Sequence, residues 1–76
     1  MRAGISSVGA LEEPLTRREM DILAHLIQKR SNPEIARLET LALSSVKWYV
    51  NQILGKLGVT TRAKAIVLAR EHGLGR

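Results

Sequence analysis

The stretch SSVKWYVNQILGKL, residues 44–57, decides how this chain is to be read. It places the only Trp and the only Tyr side by side, Trp48 and Tyr49, in a sequence with no Phe. Val46, Val50, Ile53 and Leu57 recur at helical spacing and form one apolar stripe. At about 100° per residue, Trp48 falls nearly opposite the middle of that stripe. Ser44, Asn51 and Gly55 share its side, and Lys47 and Gln52 flank it. The segment therefore predicts a helix over 43–56 with a buried aliphatic face and an outer face of Ser, Lys, Trp, Asn and Gln. That outer face is either a solvated surface with one stray aromatic, which is common, or a contact surface. Tyr49 flanks the stripe and is expected at the core edge with its hydroxyl outward.

Three further helices follow from capping and periodicity. LTRRE at 15–19 offers Thr16 as an N-cap and Glu19 three residues later, a capping box, so a helix is expected over 17–29. Its inward stripe is Met20, Leu23 and Ile27, widened by Leu26. SNPEIA at 31–36 opens a short helix over 33–40, with Asn32 as the cap, Pro33 at the first helical position and Glu34 at the positive end of the dipole. Ile35, Ala36 and Leu38 are expected to point inward, and Leu41 to pack under the turn. Gly58 ends the Trp48 helix. Thr61 then caps a last helix over 62–72, before Gly73. Ala65, Ile66 and Ala69 share a face there, while Val67 and Leu68 do not. That helix is apolar around much of its circumference, so part of it is either mildly hydrophobic surface or a contact between two copies. There is no strand alternation and no hairpin turn. The fold class is all-α, a four-helix bundle-like domain. Residues 1–14, rich in Gly, Ser and Ala and closed by Pro14, form an expected flexible tail or linker to a domain over 15–76.

Composition narrows the function. A chain of 76 residues is one domain without room for a deep cleft. It has no Cys, which excludes a disulfide framework or a thiolate metal site. His25 and His72 lie on different helices with no ligand partners, so no metal and no cofactor are expected. No paired carboxylate, activated nucleophile or phosphate loop assembles, so no enzyme is expected. No apolar run approaches the roughly 20 residues of a membrane span, and no signal peptide is evident, which fits a cytoplasmic protein without a membrane partner. Charge is distributed unevenly. Residues 1–42 balance Arg2, Arg17, Arg18, Lys29, Arg30 and Arg37 against Glu12, Glu13, Glu19, Asp21, Glu34 and Glu39. Residues 43–76 set Lys47, Lys56, Arg62, Lys64, Arg70 and Arg76 against Glu71 alone, and so hold the whole net charge of +5. The excess lies in the half that carries Trp48, which points to a polyanion. A basic membrane-surface helix would hold its aromatics on the apolar face; Trp48 is on the polar one.

Only TLAL, residues 40–43, separates the second and third predicted helices. A short helix, a tight turn and a longer basic helix with a polar outer face describe a helix-turn-helix, whose second helix enters the major groove. Lys47 suits guanine acceptors or phosphates, Asn51 suits adenine, and Trp48 suits a thymine methyl or sugar edges. Ser44 and Ser45 stand at a helix N-terminus, where phosphate is favoured.

With those segments the chain resembles the LuxR-type (GerE-like) DNA-binding domain of bacterial transcription regulators. The matching pieces are LTRRE at 15–19, SNPEIA at 31–36, SSVKWYVNQILGKLGV at 44–59, TTRAKAI at 60–66 and AREHGL at 69–74. The pairing of VKWY with KLGV is similar to the C-terminal domains of MalT-like regulators. The resemblance implies a DNA-binding domain that reads double-stranded DNA with its third helix and, as family members often do, dimerises on it through the fourth; RNA polymerase stands apart from that as a further candidate partner. Carried over by position, Lys47, Trp48 and Asn51 match base-reading residues. Ser45 and Lys56 match residues near phosphates, as does the segment Thr60, Thr61 and Arg62. Ala63 and Val67 match the dimer-facing side, with Arg70 on the same helix.

Three residues depart from that pattern. Lys29 stands where a Gly usually closes the first helix, which predicts a different turn. Glu39 stands where a Leu is usual, with Leu38 expected to face the core in its place. Ala42 stands where a Ser cap is usual, which leaves the third helix uncapped. Two other functions fit parts of the sequence. A sigma-factor-like promoter-binding region would tolerate EIA and VK, though LTRRE and the KLGV–TTR junction favour the LuxR-type reading. A helical protein-interaction module would use Trp48 as its hot spot.

Overall fold

The computed structural model describes residues 14–74. The tail expected over 1–14 lies outside them except for Pro14. Four helices follow in order, α1 (Arg17–Ile27), α2 (Asn32–Glu39), α3 (Leu43–Leu57) and α4 (Arg62–Glu71), and the described residues contain no strand. α3 is central: it packs on α1, α2 and α4, and α1 also packs on α4. Ile22, Leu23, Leu26, Ile35, Val46, Ile53, Ala65 and Ala69 are fully buried between them, with Val50 and Leu57 nearly so. No helix among the described residues is long and apolar enough to cross a membrane.

The starts of the helices follow side-chain caps. Thr16 accepts from the Glu19 backbone N–H while the Glu19 carboxylate accepts from the Thr16 N–H at 2.8 Å, a reciprocal pair. Ser31 and Glu34 repeat it at α2. The cap there is Ser31, not the expected Asn32, because only Ser31 stands three residues before an acidic side chain that can return the bond. Thr61 caps α4 by accepting from the Lys64 N–H. Ala42 leaves α3 without a side-chain cap, as its methyl requires.

All four helices end in the same way. A residue one or two places beyond each helix takes a left-handed conformation, and its own amide and the next one bond back into the last turn. The positive φ values belong to Lys29, Thr40, Gly58 and Gly73. The closing bonds are Arg30 N to His25 O, Leu41 N to Ala36 O, Val59 N to Leu54 O and Leu74 N to Ala69 O, at 2.8–3.1 Å. The first turn was expected to differ because Lys29 replaces a glycine. It keeps the left-handed geometry instead, with φ 62° at Lys29, and α1 therefore stops at Ile27 rather than 29. Thr40 adopts φ 57° in the same role between α2 and α3. A side chain at such a φ costs on the order of 1 kcal/mol, and more when it is β-branched. Lys29→Gly and Thr40→Gly should each raise stability by about 1 kcal/mol, a rise in Tm of roughly 4–8 °C by thermal unfolding.

Two side chains change places relative to expectation on α2. Leu38 points outward, 55% exposed, rather than into the core. Ile35, Ala36 and Glu39 span one arc of about 100°, and Leu38 lies outside it, about 60° beyond Ile35 on the side away from Ala36. Glu39 turns inward because α1 supplies its partners. The Arg18 guanidinium donates to Oε1 at 2.8 Å, and His25 Nε2 lies 2.6 Å from Oε2. Arg30 donates to His25 Nδ1 at 3.2 Å, which assigns the ring proton to Nε2, facing Glu39. On α1 the buried stripe is Ile22, Leu23 and Leu26 together with Glu19, while Met20 and Ile27 are only half-buried.

Candidate nucleic-acid interface

The outer face of α3 carries the expected residues to the surface. Ser44, Lys47, Trp48 and Asn51 are exposed, Ser45 is half-buried, and none of these side chains hydrogen-bonds another described residue. The four buried residues of α3 (Val46, Val50, Ile53 and Leu57) hold the opposite face on the core, which fixes the direction in which the outer face points. Trp48 is 56% exposed. Its ring meets the Tyr49 ring edge-on, with centroids 5.2 Å apart and planes at 79°. Tyr49 is half-buried against the core, so the two adjacent aromatics do different work. One anchors in the fold; the other stands on it as a supported, outward plane.

Two residues expected on phosphates are engaged inside the fold. Lys56 Nζ lies 2.8 Å from Glu19 Oε1 and donates to the Pro14 carbonyl at 3.4 Å. It joins the C-terminal part of α3 to the start of α1. Arg62 donates to Asn32 Oδ1 at 2.9 Å and to the Arg30 carbonyl at 2.8 Å, and so pins the start of α4 to the turn between α1 and α2. Sequence spacing could not show this, because both partners lie about 30 or more positions away in the chain. Thr60 is exposed beside them, and the Thr61 hydroxyl is used as the α4 cap. Glu39, which no motif singled out, is the acceptor that ties α2 to α1; the signal available was a carboxylate at a position the resemblance makes apolar.

Glu19 is 4% exposed. Burial pushes its carboxyl up. The hydrogen bond from Lys56, the Thr16 N–H, the Lys56 charge and the Thr16 hydroxyl together outweigh it and hold the group below 4.5. Glu34 is lowered too, first by the Ser31 N–H. Both groups are more acidic folded than unfolded, so their stabilisation is complete above the unfolded pKa. It fades as pH falls through the lower folded value. The domain should lose stability as pH drops below about 4.5, and Glu19→Gln should flatten that decline, as followed by urea midpoints across pH.

α4 presents an apolar side to solvent. Val59, Ala63, Val67 and Leu68 line a shallow depression there, rimmed by Lys64 and Glu71. Val67 is 56% exposed, and Ala63 and Arg70 are also at the surface.

Helix order, the tight turn at 40–42 and an outward polar face on the second of the two helices define a helix-turn-helix domain. Residues 13–69 match the family model described as bacterial regulatory proteins, luxR family, and the chain belongs to that family as its DNA-binding helix-turn-helix domain. Among curated relatives it is similar to the response regulator protein VraR of Staphylococcus aureus, Staphylococcus saprophyticus and Staphylococcus epidermidis. Each is 39% identical over 74 residues, which covers 97% of this chain and 35% of the relative. The chain thus spans about a third of the length of the relatives it matches.

Proposed function

We propose that this domain binds double-stranded DNA sequence-specifically by laying α3 in the major groove, within a bacterial transcription regulator. The observation that carries the reading is the outer face of α3, where Lys47, Trp48 and Asn51 stand exposed with no partner among the described residues. Fifteen helical residues make a rod of about 22 Å, and the groove is about 12 Å wide, so the N-terminal half can reach base edges. Lys47 would donate to guanine acceptors, Asn51 would pair with adenine, and Trp48 would offer its plane to thymine methyls or sugars. Ser44, Ser45 and Thr60 would meet phosphates, with Thr61 at the same edge. Lys56 and Arg62 hold the frame rather than the strand. The matched relatives are named response regulators, which favours that kind of whole protein over a MalT-like one. Binding to a duplex recovered from a random pool should fall steeply with salt and survive competition by heparin. Equal displacement of specific and random duplex by heparin would overturn sequence reading.

Two copies would pair on DNA through α4, with Ala63 and Val67 covering the exposed apolar side and Arg70 beside them. Val67→Glu should leave the monomer folded and abolish cooperative occupancy of two half-sites, read by gel shift on duplexes with one and two sites. Unchanged cooperativity would move the dimer contact elsewhere.

A further inference from the structure

Gly55 is a described glycine that the backbone does not require. Gly58 and Gly73 hold φ values of 70° and 67° and close α3 and α4, where a side chain would be strained. Gly55 is not among the positive-φ residues and lies within α3. A Cβ built on it meets no atom within 4 Å, so no neighbour needs the space either. Helical glycine is less stable than alanine in the same place, because the unfolded chain is freer and nothing is packed in return. The fold alone therefore favours another residue here.

Its position on the helix supplies a reason. Gly55 is seven residues after Trp48 and four after Asn51, and so shares their outward face, about 6 Å further along the axis than Asn51. Lys56, the adjacent cation, is turned away onto Glu19. The outer face thus carries large or polar side chains along its front half and a notch of bare backbone behind them. A helix that enters a groove with its front half passes one groove wall with its rear, and that wall is sugar and phosphate.

We propose that Gly55 is a clearance position for DNA: its missing side chain lets one sugar–phosphate strand run directly against the α3 backbone, one turn beyond Asn51. The inference rests on the major-groove reading above. Any side chain at this position would hold the strand off and lift Asn51 and Trp48 away from the bases.

The test uses the 76-residue chain with G55A and G55L beside the wild type. Affinity is measured at fixed salt for a duplex recovered from a random pool by the wild type, and thermal unfolding is measured without DNA. G55A should raise Tm by roughly 3–6 °C and weaken binding about fivefold or more, the scale of one lost hydrogen-bonding contact. G55L should weaken it further while remaining folded. Stability and affinity moving in opposite directions is the signature. If G55A is stabilised and binds as well as the wild type, the clearance is wrong. A lower Tm for G55A overturns it too, because the glycine then serves the fold. If the wild type enriches no sequence from the pool, the DNA-reading proposal fails first and the clearance falls with it.

Discussion

Lys56→Met should cost the domain about 2–4 kcal/mol, a large part of what a chain of this size has. Methionine keeps most of the stem and removes the charge, so the loss isolates the ion pair. Glu19 is 4% exposed, and its carboxylate would be left in the core edge with only the Thr16 cap to hold it. Part of the loss should return in the double variant Glu19→Met/Lys56→Met, where no unpaired charge is buried. Urea unfolding of the three variants measures this. The same substitution separates two roles for the residue. If the Lys56–Glu19 pair persists on DNA, the dependence of DNA affinity on salt should not change. A drop of about one in that logarithmic slope, with stability intact, would return Lys56 to the DNA backbone.

Asn51→Ala should leave stability within about 0.5 kcal/mol, because the side chain is exposed and unbonded within the described fold. It should instead remove about 1–3 kcal/mol of discrimination at one base position. Lys47→Ala should do the same at a neighbouring position. Duplexes carrying each single base change, titrated against both variants, give the readout: preference relaxes at one position per variant, while binding to random duplex persists for Asn51→Ala. If both variants rank the duplexes as the wild type does, α3 does not read bases through these side chains. If both lose all binding with the fold intact, they contribute anchoring rather than discrimination.

Where the sequence was legible, local rules sufficed. The Thr16–Glu19 box, the Gly58 stop and the stripe Val46, Val50, Ile53 and Leu57 each depend on residues within a few turns, and the structure keeps all of them. What escaped was the pairing of polar groups across helices. Glu39 faces inward because Arg18 and His25 happen to stand opposite it, and Leu38 is displaced to the surface as a result. Lys56 and Arg62 look like free cations in the sequence, since nothing near them in the chain answers their charge. Their partners come from α1, the α1–α2 turn and α2 only after folding. Lys29 shows the limit from the other side. Its intrinsic preference argued against a left-handed turn, and the Arg30–His25 and Lys29–Leu26 backbone bonds imposed one anyway. The candidate site fared best where it depended on one helix. Periodicity alone placed Trp48 outward and Tyr49 at the core edge.

The left-handed turns at Lys29 and Thr40 have an evolutionary meaning. A regulator acquires a new operator by exchanging residues on the face that meets DNA, and such exchanges often weaken the protein that carries them. A domain whose two strained corners can each revert to glycine holds mutational headroom outside the recognition helix. Address and robustness can then drift on separate sets of positions, so that a destabilising change of address can be followed by a rescue that leaves the address alone.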